Sequence, residues 1–177
     1  MNLFGHAKTK TRNKYTRKRR YADPSMPLLM GQEQLYRELG DQAALSRSLG
    51  DQAYILFGRG DLEVAMALLM EQGGICRELG YSAVLQASLG NQGAILHARG
   101  DLEGAMALLK EQERLCRELG DPAGLATSLT NLARGFSQLG QDREAMSAAK
   151  EAYVLASQHG LTVLTEQIES LMEKMQQ

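Results

Sequence analysis

Leu85, Leu89, Gly93 and Leu96 follow one another at intervals of four, four and three residues, the spacing that gathers side chains on one face of an α-helix. After Gly100 the periodicity resumes with Leu102, Ala105, Met106, Leu109, Leu115, Cys116 and Leu119, and predicts a second helix. Gly60, Gly100 and Gly140 each separate two such stretches. Glycine suits the left-handed residue after a helix end, and Asp61 or Asp101 directly beyond it can cap the next helix through a side-chain oxygen. Gly40, Gly80, Gly120 and Gly160 end the second stretch of each pair, and Asp121-Pro122 opens the next with a cap and a first-turn proline. Helices of about 16 to 18 residues, roughly 25 Å long, follow from the helical rise per residue.

The pattern recurs every 40 residues. Residues 41–80 and 81–120 agree at about 25 of 40 positions, residues 121–160 form a more diverged third block, and residues 25–40 match the second half of a block. A two-helix unit cannot bury both of its apolar faces alone, so neighbouring blocks must stack into a continuous core. Beyond Gly160, Leu164, Ile168, Leu171, Met172 and Met175 make one stripe while Glu166, Gln167, Glu173 and Lys174 lie off it, the pattern of a capping helix with a polar outer face. The expected organisation is a tail at 1–25 and a repeat domain at 26–177. That domain divides into a half repeat 26–40, repeats 41–80, 81–120 and 121–160, and a capping helix 161–177.

Over residues 25 to 177 this arrangement resembles the tetratricopeptide repeat family in a 40-residue form. The family's alternation of large and small residues is matched by Leu49, Ala53, Leu56, Ala65 and Leu69 in the first block, and by Leu89, Gly93, Leu96, Ala105 and Leu109 in the second. Leu129, Leu132, Ala133, Phe136, Ala145, Ala149 and Ala152 match it in the third. Two features depart from the pattern: Gln72 and Gln112 replace the last Ala, and Gln52 and Gln92 stand where the third block has Leu132. These amides either pair in a polar layer between helices or face water. Long arrays of this type resemble sensor or adaptor segments of larger proteins, including bacterial signalling ATPases and kinesin light chain.

The resemblance implies an all-α, right-handed solenoid of stacked helix-turn-helix repeats that serves as an interaction scaffold, with a peptide or partner helix held in a concave groove lined by the first helices. Carrying over the family's inner positions gives Arg47, Asp51, Tyr54 and Phe57, then Asn91, Ala94 and His97, then Thr127, Asn131, Arg134 and Ser137 as partner-binding candidates. Asn91 and Asn131 lie 40 residues apart, and an amide can both donate to and accept from a peptide backbone. Tyr and Arg are the residue types enriched among interface anchors, while the alternative is that Tyr54 and Phe57 pack between helices. Family members that clamp a terminal carboxylate use a Lys and Asn set, and Gly50, Gly90 and Thr130 stand where that Lys would be. A chaperone-tail binder is therefore not expected.

Charge adds a second feature. The chain of 177 residues carries a formal charge of -1, yet residues 1 to 25 hold eight Lys or Arg against one acid. Lys14, Arg17, Lys18, Arg19 and Arg20 belong to a run too polar to join a core, expected to be disordered when free. It reads as a plain tail, with nuclear import or salt-sensitive binding to nucleic-acid phosphates as alternatives. The face of residues 26–39 lacks its usual first helix, which exposes Leu28, Leu29 or Leu35 and makes self-association through this end a further alternative. No run of 18 apolar residues exists and no signal-peptide core opens the chain, so a cytoplasmic protein with no membrane contact is expected.

Nothing points to catalysis. His6, His97 and His159 have no metal-site spacing, and no phosphate-binding or nucleophile-elbow motif is present, so no catalytic residue, metal or cofactor is assigned. Cys76 and Cys116 share a position with Tyr36 and Ala156, which indicates packing and not nucleophilic chemistry. Arg59-Gly60-Asp61 and Arg99-Gly100-Asp101 spell an integrin-recognised tripeptide, but turn and cap already require the Gly and the Asp. Glu71, Glu78, Glu111 and Glu118 recur with the repeat and most simply form a solvated face.

Overall fold

Seven glycines spaced by 20 residues, from Gly40 to Gly160, all adopt positive φ between +65° and +85°. An L side chain in that region costs about 1–2 kcal/mol, so glycine fixes where each helix stops. At Gly60 its own amide bonds Phe57 O at 3.0 Å and the Asp61 amide bonds Leu56 O at 2.9 Å, closing the turn. In this computed structural model, which describes residues 25–176, the helices between these turns are α1 (Ser25–Leu39), α2 (Gln42–Arg59), α3 (Leu62–Leu79) and α4 (Ser82–Arg99). They continue as α5 (Leu102–Leu119), α6 (Pro122–Gln138), α7 (Asp142–Gln158) and α8 (Thr162–Met175). The basic run with Lys14, Arg17, Lys18, Arg19 and Arg20 lies outside the described residues.

The cap grammar holds at three places and fails at one where it was expected. Asp41, Asp101 and Asp121 accept from the amides of Ala44, Gly104 and Gly124 at 2.9 Å each, but Asp61 makes no such bond. Val64 stands where the other three have Ala or Gly. Ala44 shows that a lone Cβ is compatible with the capping bond; Val64 is the one branched side chain among the four.

Each helix packs on its chain neighbours, and the first helix α6 also touches α4 and α8. Every first helix carries two stripes. Leu45 and Leu49 of α2 pack with Ile75 and Leu68 of its own repeat's second helix, as Leu85 and Leu89 of α4 do with Leu108 and Leu115. The other stripe meets the preceding second helix: the hydroxyls of Ser48, Ser88 and Ser128 donate to Leu29 O, Leu69 O and Leu109 O at 3.0–3.1 Å. One bond of this kind, worth about 0.5–1.5 kcal/mol net, therefore recurs where α2, α4 and α6 meet the preceding second helix, while Ile168 takes the serine's place in α8.

The four glutamines are buried and bond separate acceptors, without pairing with one another. Gln52 Nε2 donates to Glu33 Oε2 at 2.7 Å, Gln72 Nε2 to Ser46 O at 2.9 Å, Gln92 Nε2 to Leu69 O at 3.1 Å and Gln112 Nε2 to Gln86 Oε1 at 3.3 Å. Between second helices a charge ladder runs at the same 40-residue period: Arg37 pairs with Glu71, Arg77 with Glu111, and Arg117 with Glu151. Glu71 and Glu111 thus bridge repeats and are more than a solvated face. Cys76 and Cys116 are fully buried, and burial pushes the Cys116 thiol up to about 11, helped by the charges of Asp121 and Glu113. Such a thiol is a packing group with little thiolate at neutral pH.

The two ends differ. In α8, Ile168 is fully buried with Leu164, Leu171, Met172 and Met175 packed around the same core, while Glu166, Gln167, Glu173 and Lys174 are exposed, as a cap requires. In α1 no residue is buried; Leu28 and Leu35 are exposed and Leu29 is half-buried.

Candidate protein-binding groove

The register of the first helices decides what they present between them. Positions 54, 57, 91 and 94 lie on the sides of α2 and α4 that face each other, and Tyr54, Phe57, Asn91 and Ala94 line a narrow slot of about 20 Å³ floored by Ala53 and Leu69. One repeat further, Ala94 and His97 of α4 face Asn131 and Arg134 of α6 across a cleft of about 150 Å³ floored by Gly93 and Leu109. Ala94 lines both, so slot and cleft adjoin. Gly93 opens the floor, because a Cβ there would sit 3.1 Å from Leu109 Cγ.

Tyr54 is 75% exposed, and Phe57 is exposed as well, so neither is consumed by packing between helices. In the cleft, His97 Nε2 is buried with no hydrogen-bond partner among the described residues. The Arg134 guanidinium donates to Asn131 Oδ1 at 3.4 Å and to Gln167 Oε1 at 3.5 Å, both long bonds that a better acceptor can displace. The slot is aromatic and apolar; the cleft offers donors. Together they suit a partner segment with an apolar side chain beside an acceptor.

The remaining candidates fall elsewhere. Arg47, Asp51 and Ser137 line neither slot nor cleft, and the first two are exposed. Thr127 borders a third, open recess of about 420 Å³ with Ala123, Leu161, Val163, Leu164 and Gln167. Gln167 stands 40 residues beyond Thr127, so α8 is a first-type helix in groove register as well as a cap. Continuing the period past Gly160 was the signal that locates it.

Among the described residues no three His, Cys, Asp or Glu side chains gather in a way that could hold a metal ion, and no helix is long and apolar enough to cross a membrane. Gly60 and Gly100 keep the two Arg-Gly-Asp tripeptides inside tight turns, with Asp101 used as a cap and Arg99 paired to Glu63 at 3.0 Å.

Helix pairs stacked at a fixed 40-residue pitch, with a lined channel along one row of helices, define an all-α repeat solenoid. Residues 84–158 match the family model of the tetratricopeptide repeat, and this segment is a tetratricopeptide-repeat array. The fold is similar to the crystal structure of BtubC (BKLC) from P. vanneervenii, at 17% identity and a TM-score of 0.61, covering 85% of this chain and 72% of that one. It is also similar to a putative kinesin light chain with nearly identical TPR-like repeats from Podosopora anserina, at 14% identity and a TM-score of 0.60, covering 86% and 85%. At these identities the likeness is one of fold. No curated protein matches the chain. Tetratricopeptide repeats generally act as protein–protein interaction scaffolds, which implies protein partners.

Proposed function

We propose that the chain is a non-enzymatic adaptor that binds an extended peptide or a helix of a partner protein along its first helices, from the Tyr54 slot to the Arg134 cleft. One observation carries this reading: the exposed aromatics Tyr54 and Phe57 and the unpartnered Nε2 of His97 line adjoining hollows that share Ala94. The same hollows hold Asn91 and Asn131, one repeat apart, so a bound backbone can be read at two points along its length. Affinity then comes from a few anchors on a preformed surface.

The test is a displayed-peptide screen against the full chain, followed by affinity measurements on the enriched peptides. Tyr54→Ala with Phe57→Ala, and separately Arg134→Glu, are expected to weaken those peptides roughly tenfold or more each, as loss of an anchor does. Unchanged helicity of each variant would show that the solenoid is intact. Enriched peptides that bind all variants equally would remove the groove from consideration.

A further inference from the structure

The second helix of a complete repeat buries two leucine-like positions against the first helix of its own repeat. Ile75 is 8% exposed and Leu115 6%, each packed with the Leu-Leu pair of that first helix, and the half-buried Leu68 and Leu108 join them two turns earlier. In α1 the same two positions are Leu28 and Leu35, exposed to 65% and 49%. We propose that a second copy of this chain covers them, in a two-fold pair formed by α1 against α1.

Three observations select that occupant. First, the other end of the solenoid cannot dock here. The stripe that would meet a following second helix reads Leu45, Leu49, Ala53, Leu56 in α2 and Leu125, Leu129, Ala133, Phe136 in α6, but Thr165, Glu169, Glu173, Gln176 in α8. Head-to-tail stacking would press two carboxylates without partners onto leucines, and an unpaired buried charge is costly. Second, the same register counted back into the preceding residues gives Gly5, Thr9, Asn13 and Thr16, so that segment does not carry the leucine stripe either.

Third, α1 itself is built for a helix of its own kind. Leu28, Gln32, Leu35 and Leu39 are spaced four, three and four residues apart, the alternation that makes a seam between two packed helices. The seam holds no charge: Glu33 and Arg37 are turned into the ladder toward Gln52 and Glu71, and Glu38 accepts from Gln34. A two-fold axis near Gln32 sets Leu28 of each copy against Leu35 of the other and brings the two Gln32 amides together, where each can donate and accept.

Sedimentation equilibrium on the full chain, from low micromolar to near-millimolar concentration, tests the proposal. Reversible monomer–dimer behaviour is expected, and Leu28→Glu with Leu35→Glu should weaken dimerisation roughly 100-fold or more while helicity stays unchanged, because both side chains are exposed in the single chain. Val163→Glu at the far end should leave the dimer as it was. Gln32→Cys should form a disulfide-linked dimer under mild oxidation, the two native thiols being buried. A monomer at all concentrations, a dimer that survives the double Glu variant, open-ended assemblies that Val163→Glu disrupts, or loss of the dimer on deleting residues 1–20 would each overturn it.

Discussion

Repeats 41–80 and 81–120 join their two helices differently from repeat 121–160. In the first two, Gly50 and Gly90 of the first helix lie against Gln72 and Gln112 of the second; in the third the same positions are Thr130 and Ala152. A Cβ at Gly50 would stand 3.2 Å from Gln72 Cδ, and one at Gly90 would stand 2.9 Å from Gln112 Cδ. The amide in this position occupies the space a Cβ would take. Where the second helix carries only Ala152, the first helix holds a threonine whose hydroxyl bonds Ala126 O at 2.7 Å, and both are buried. Volume lost on one helix is regained on the other, as native packing density requires.

A second exchange lies between repeats. Ile95 is fully buried beside Met66, whereas its counterpart Gly135 leaves the space where Met106 places its sulfur. The Gly–Gln and Thr–Ala combinations thus change as a touching pair, whereas at Gly135 one residue changes and Met106, the counterpart of Met66, takes up the space. The polar version carries a liability that the apolar one avoids: Gln112 donates through Nε2 to Gln86 Oε1, but its own Oε1 is buried with no donor among the described residues.

The sharpest way to sharpen this contrast is to strike a position that both regions share. Ala105 and Ala145 are buried at equivalent places, so Ala105→Phe and Ala145→Phe should each cost about 3 kcal/mol by overpacking. Denaturant titration that found one variant as stable as the wild type would show that the two regions do not pack alike there. Next, Gly90→Thr alone should destabilise by about 1–3 kcal/mol. Combined with Gln112→Ala, which rebuilds the third repeat's pairing in the second, most of that loss should return, as a double-mutant cycle reads directly. Strict additivity of the two changes would break the comparison.

The smallest effect concerns Glu33. Burial acts to raise its carboxyl, but hydrogen bonds from Gln52 and Arg37, with the Arg37 charge, outweigh it and hold the group below the usual carboxylate range. A depressed folded value stabilises the fold above the unfolded value and loses that contribution as pH falls through the folded one. Stability should therefore decline below about pH 4.5, and Glu33→Gln should flatten that part of the pH profile. An identical acid profile for the variant would mean that the Gln52–Glu33 contact contributes nothing.

Much of the groove was legible because a 40-residue period transfers one position to the next repeat. Asn91 and Asn131 meet successive hollows for that reason, and Tyr54, Phe57, Ala94, His97 and Arg134 join them. Arg47, Asp51 and Ser137 share the helices but not the hollows, since a position on the right helix can still point past the floor residue that opens a cleft. Gln167 escaped because the polar outer side of α8 reads as an end, although its other residues keep the groove register.

The sequence by itself determined the helices, their turns and their stacking order, because glycine at positive φ, a capping Asp and the leucine stripes act within a few residues of chain and need no knowledge of what lies opposite. Whether four glutamines would face water or bond acceptors on neighbouring helices, which Asp would cap, and how far Glu71 would reach were decided only in three dimensions. Each depends on the room left by a side chain 3 to 34 residues away, as Val64 does for Asp61, Gly50 for Gln72 and Arg37 for Glu71. A polar group takes the bond its neighbours leave open, and those neighbours are fixed only when the helices close on one another.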